Sequence, residues 1–268
     1  MNPQCYRYSV TITVFNFNQG LVDYAFLQGV SWSSLTYIQM SCLSAGTYVG
    51  IAYLQANKPK APTASSPPTN STSQLVTSTG WLTFPLIGSP DNSIANAAIV
   101  SLYYIGANIP AEAVYWEKAV DNCGDAFAVG KNYVFELASR PPYNGFWSLT
   151  LYNTTGTNGL IDTTNNTYTL GSQFPNLRTD SKGGATLYLS QAPPSSDLLS
   201  NWLPLGVSDS SSTEGFDLIF RIYSPDNSNV IYNYAPPELR LTDDHFIPIA
   251  CPGEKLSLSY NSMFPSLW

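Results

Sequence analysis

The chain alternates far more than it winds. Tyr8, Val10, Ile12 and Val14 are separated by Ser9, Thr11 and Thr13, the period-two pattern of a strand with one buried face. Similar runs predict strands near 6–17, 47–54, 80–87, 98–105, 131–138, 145–152, 166–171, 185–190, 216–223, 229–234 and 255–260. Gly, Pro, Asn and Ser turns separate them, as in an all-β sandwich or barrel. Helical periodicity is scarce; only 21–28 and 195–200 suit short helices. The expected fold class is mainly β, an antiparallel sandwich with an additional N-terminal β region.

The run GFWSLTLYN (145–153) is the richest of these strands. Extended backbone sends Phe146, Ser148, Thr150 and Tyr152 one way, and Trp147, Leu149 and Leu151 the other. The second set is wholly apolar and belongs in a core; the first mixes rings with hydroxyls and suits a packed layer or a sugar-contacting surface. SQFPNL (172–177) reads as a turn with Pro175 fixing φ, and SKGG (181–184) as a hairpin turn into ATLYLS. Trp202 is placed near a strand end by NWLP (201–204).

Composition then narrows the setting. Only 11% of the 268 residues are charged, against a usual share of about 25%. Ser, Thr, Asn, Tyr, Gly and Pro fill the gap, as in an exported protein. The net charge is -7 with 11 Lys and Arg, so no electrostatic footprint for nucleic acid or an anionic bilayer exists. No apolar run reaches the length of a membrane-spanning helix.

The cysteines, Cys5, Cys42, Cys123 and Cys251, match no zinc spacing, and a single histidine accompanies them. Two disulfides are expected, in any of three pairings, which implies an oxidising compartment. Asn70, Asn153 and Asn165 each open an Asn-x-Ser/Thr sequon, a glycan acceptor where it is displayed in a secretory compartment. The segment KPKAPTASSPPTNSTS (58–73) reads as a Pro/Ser/Thr-rich loop or linker. The opening MNPQCYRYSVTITV lacks the plan of a signal peptide. Export then calls for a processed start, a start at an internal Met, or exit within a virus particle.

Six stretches come in an order resembling a known family: EAVYW (112–116), DNCGDAFAVGKNYVFEL (121–137), PPYNGFWSLTLYN (141–153), TYTLGSQFPNLRTDSKGGATLYLS (167–190), NWLP (201–204) and GFDLIFRIYSP (215–225). Over residues 98–240 the chain resembles the C-terminal domain of unknown function numbered twelve-fourteen, which often follows a partner domain numbered twelve-fifty-four. The resemblance implies a jelly-roll-like sandwich and no established reaction. Thr167 and Gln173 stand where the family pattern has basic residues, Ser224 where it has a tryptophan, and the polar loop GVSDSSSTE (206–214) is extra. These departures weaken any charged pocket and favour a structural role. The domains read as 1–97, 98–240 and a C-terminal tail, 241–268.

Catalytic sets are not evident. A Ser-His-Asp site would rest on His245, beside Asp243 and Asp244, and no G-x-S-x-G elbow accompanies it. Glu112, Glu117 and Glu136 sit near aromatics and are the candidates for a carboxylate pair. Asp121, Asn122 and Asp125 resemble a fragment of a calcium loop without its full ligand series. No cofactor or metal is expected. The leading expectation is a non-enzymatic, exported, glycosylated subunit of a cell-surface or extracellular filament. Strand 6–17 or tail 255–268 would reach an identical neighbour. The alternatives are a carbohydrate-binding module using Tyr103, Tyr104, Tyr115 and Trp116, a virus-particle surface protein, and a polysaccharide hydrolase.

Overall fold

The computed structural model describes residue 52 and residues 75–88, 107–154, 159–207, 214–227 and 229–251. Within them the chain is mainly β, in two sheets. The larger has six strands in the order β1-β2-β3-β9-β5-β6: β1 (Leu75–Val76), β2 (Leu82–Thr83), β3 (Ala113–Lys118), β5 (Tyr143–Asn153), β6 (Thr169–Gly171) and β9 (Phe216–Pro225). The smaller has four in the order β10-β4-β7-β8: β4 (Asn132–Leu137), β7 (Ala185–Ser190), β8 (Trp202–Pro204) and β10 (Leu239–Thr242). The pairs are antiparallel except β7 with β8, which run parallel. The expected antiparallel sheets are present, with this one parallel pair in addition. Parallel neighbours need a crossover, supplied by the 191–201 connection with its 3-10 turn Leu199–Asn201.

Alternation explains the packing. Trp147, Leu149 and Leu151 on β5 are buried, as are Leu218, Phe220 and Ile222 on β9 and Val114 and Trp116 on β3. They meet Tyr133, Phe135 and Leu137 of β4 and Leu187 and Leu189 of β7 in one core. Phe220 is its hub: its ring lies 5.6 Å from Phe135, 5.8 Å from Trp147, 6.0 Å from Trp116 and 6.4 Å from Trp81. Phe135 belongs to one sheet and Phe220 to the other, so these ring contacts hold the two layers together. Aromatic pairs at such distances contribute about 0.5–1.5 kcal/mol each beyond simple burial.

Several strands differ from the sequence expectation. The 229–234 run forms a short helix, Val230–Asn233, that buries Val230 and Ile231; a short apolar run carries no period long enough to separate helix from strand. Of the strand expected at 47–54 only Ala52 lies within the described residues, and it is helical. β1, β3, β8 and β10 were not among the expected strands. β8 and β10 span three and four residues, too short to show a period. The 181–184 turn is present, with Gly183 at φ +73°, but the strand it leads into, β7, pairs with β4 and β8, so it closes no hairpin. The runs 6–17, 21–28, 98–105 and 255–260 and the 58–73 loop lie outside the described residues.

The Cys123–Cys251 disulfide is formed, with Cα atoms 5.2 Å apart and 128 residues between them in sequence. It ties the segment after β10 to the loop before β4. Cys5 and Cys42 lie outside the described residues. Next to β10, residues 247–249 extend the small sheet: Ile249 donates its N–H to the Leu241 carbonyl and Asp243 to that of Ile247.

Candidate functional site

The expected carboxylate pair is not assembled. Glu117 on β3 and Glu136 on β4 both point away from the core, and their strands belong to different sheets. They therefore face opposite sides of the sandwich. Glu112 is exposed in the turn before β3, and Glu136 is engaged by Arg240. His245 is exposed in a turn where its backbone N–H bonds the Asp243 carboxylate. Asp121 is buried, and its Oδ1 accepts the backbone N–H groups of Cys123 and Asp125 at 2.9 and 3.1 Å. The stretch that resembled a calcium loop is thus a carboxylate-capped turn, with Lys131 at 4.0 Å from the other oxygen. Among the described residues no cluster of His, Cys, Asp and Glu is arranged to hold a metal ion.

Of the proposed aromatic row, Trp116 is fully buried in the core, which removes it as a ligand contact. Its neighbour Tyr115 points outward because strand side chains alternate. Tyr103 and Tyr104 lie outside the described residues. The structure instead groups other rings around Tyr115 on the outer face of the six-stranded sheet. Register sets Arg221 beside Tyr115 on one side and Ser148 on the other. The guanidinium lies 5.8 Å from the Tyr115 ring and 5.4 Å from the Tyr152 ring, and donates to the Tyr152 hydroxyl at 2.7 Å. Beside it Phe146 and Tyr223 stack at 4.3 Å. Burial raises the Tyr223 hydroxyl above its ordinary pKa, with Arg221 pulling the other way. Phe146 and Tyr152 are the mixed face of GFWSLTLYN. Arg221 was not read as functional from sequence, because nothing in FRIYS shows which rings cross-strand pairing will bring to it.

The outer face of the small sheet carries a groove of about 350 Å³ beside β7. Asn201, 5% exposed, builds its floor. Its Nδ2 donates to the Arg178 and Thr186 carbonyls, both at 2.9 Å. Its Oδ1 accepts the Arg178 backbone N–H at 2.8 Å. The Arg178 guanidinium then donates to the Asp197 carbonyl at 2.7 Å. Tyr188 forms one wall, its ring edge-on to Phe246 at 5.1 Å. Trp202 donates its Nε1 to Ser190 nearby. The stretches 167–190 and NWLP contain Arg178, Tyr188 and Asn201, but only the fold joins them with Asp197.

The sequon asparagines sit differently. Asn153 ends β5, opposite Phe216, partly buried, and its side-chain amide donates to Glu214 at 3.3 Å. Asn165 lies in the 3-10 turn Thr164–Asn166. Asn70 lies outside the described residues.

Residues 112–227 match the model of the family described as "Protein of unknown function (DUF1214)". The matched segment begins one residue before β3, ends just after β9, and so includes strands of both sheets. No curated protein matches the chain. A similar solved structure is the VPA0106 protein from Vibrio parahaemolyticus, 21% identical with a TM-score of 0.51. The match covers 78% of this chain and 46% of that one, so the chain spans about half the length of that protein. This likeness supports the β-rich fold. No helix among the described residues is long and apolar enough to cross a membrane.

Proposed function

We propose that the chain is a non-enzymatic, exported and glycosylated β-sandwich subunit of an assembly at a cell surface, in an extracellular filament or on a virus particle. The observation that carries this reading is the Cys123–Cys251 disulfide. A covalent bridge belongs to an oxidising compartment, and this one fastens the C-terminal segment to the body of the sandwich. Exposed Ile247 and Ile249 lie on that fastened segment, beyond which the alternating tail 255–268 would reach an identical subunit. The low charge and the sequons support the same setting. Light scattering and electron microscopy of the secreted full chain, with intact-mass analysis, test it. Species larger than one chain, carrying glycan mass, are expected; a protein that stays monomeric and unmodified at every concentration sinks the proposal.

A second reading is carbohydrate binding by the outer face of the six-stranded sheet. Its support is the half-buried group of Tyr115, Phe146, Tyr152 and Tyr223 around Arg221. Rings of this kind stack on the apolar faces of sugars, and a guanidinium supplies donors for their hydroxyls. Arg221→Gln would weaken binding to an oligosaccharide that the unaltered chain retains on an affinity gel; unchanged retention argues against this face.

A further inference from the structure

We propose that the groove beside β7 is a separate binding site for a neutral saccharide unit. The inference shares a ligand class with the carbohydrate reading above but assigns a different site, on the opposite sheet. A volume of about 350 Å³ falls at the small end of the usual range of about 300–1,000 Å³ for small-molecule sites, which suits one or two sugar rings.

The groove is held in shape before any ligand arrives. Buried Asn201 spends its amide on the backbone of Arg178 and Thr186. The segment carrying Arg178 is thereby fixed against β7, although the two are distant in sequence. The Arg178 side chain is then tethered at one nitrogen by the Asp197 carbonyl. A guanidinium carries five N–H donors in a planar fork, so most remain for a ligand. Thr186 and Ser200 add hydroxyls, and Tyr188 adds a partly exposed ring as a wall. Donors, acceptors and one ring face converging on a small groove are what a sugar's hydroxyls and C–H face require.

Charge selects within that class. The groove is lined by the carboxylates of Asp180 and Asp197 against the single guanidinium of Arg178. An acidic sugar would meet net repulsion, whereas a neutral one finds both acceptors and donors. One Asp180 oxygen is already taken by the N–H groups of Lys182 and Gly184, and the Asp197 carboxylate accepts from the Ser195 side chain and its own backbone N–H; the remaining lone pairs of both carboxylates, with the Arg178 guanidinium, read the ligand.

The test is NMR titration of the full, disulfide-bonded chain with neutral glucan and mannan oligosaccharides, and with a galacturonan oligosaccharide as the acidic probe. Arg178→Gln, Asp197→Ala and, on the other face, Arg221→Gln are titrated in parallel, each with its thermal midpoint measured. Both groove positions are exposed, so these variants are expected to fold. The expected result is neutral-probe shifts at the groove amides whose affinity weakens about 10-fold or more in Arg178→Gln and Asp197→Ala, as loss of hydrogen bonds to a charged group predicts, while Arg221→Gln alters only shifts on the six-stranded sheet's outer face. Binding lost only in Arg221→Gln overturns the groove site and leaves the sheet-face reading standing. Preference for the galacturonan overturns the neutral assignment. No binding of any probe by folded protein overturns both.

Discussion

Phe220 touches rings from both sheets, so its side chain is where the two layers meet. Replacing it with alanine leaves a cavity bounded by Trp81, Trp116, Trp147 and Phe135. A loss of about 3–5 kcal/mol is expected, read as a lower urea midpoint with little change in slope. Titration gives a second expectation at this scale. Burial pushes the hydroxyls of Tyr133 and Tyr234 well above the ordinary tyrosine value near 10. The unfolded chain releases these protons near pH 10 while the folded chain keeps them, so stability falls as pH rises through that value. Lys118 acts oppositely. Burial lowers its pKa, partly offset by Glu238 and Asp121, so the folded state sheds its proton first and gains stability towards the usual lysine value. Two strongly raised phenols outweigh one lysine. A lower denaturation midpoint at about pH 11 than at about pH 8, with tyrosinate absorbance rising only on unfolding, is expected. An equal or higher midpoint at the alkaline pH would refute the assignment.

At the scale of elements, the alternation in FWSLTLY placed each side chain on its side of β5, since the period of two is fixed by extended backbone. The same rule turns Tyr115 outward and Trp116 inward. Sequence misjudged the pair as one exposed row because it read them as adjacent rings without assigning the strand. The short strands escaped because a few residues cannot display a period. The Asn201 clamp and the Arg221 ring group were invisible for another reason: each needs cross-strand register, which is set by the whole sheet. Gly171 shows how tight that register is. A Cβ there would sit 2.3 Å from the Trp147 carbonyl oxygen, so Gly171→Ala must push β6 off β5. The expected cost is about 1–3 kcal/mol, with faster hydrogen exchange at the Leu151 and Ser172 amides, which bond across this junction. Exchange unchanged there would show that the sheet edge yields without separating.

For the whole molecule, period-two alternation made the β class legible, whereas the pairing of Cys123 with Cys251 needed the fold. Closing a loop of this length restricts the unfolded chain, and removing such a bridge typically costs about 2–5 kcal/mol. The double variant Cys123→Ser, Cys251→Ser is expected to lose stability in that range by chemical denaturation, while the oxidised parent should gain nothing from added oxidant. The bridge has one more consequence, for how the molecule wears. The polar loop 206–214 falls between the two cysteines, and so does most of the sandwich. A protease that cuts once anywhere in that span opens the backbone without freeing a piece. The nicked protein would keep running as one band on a non-reducing gel and separate into two only when its sulfurs are reduced.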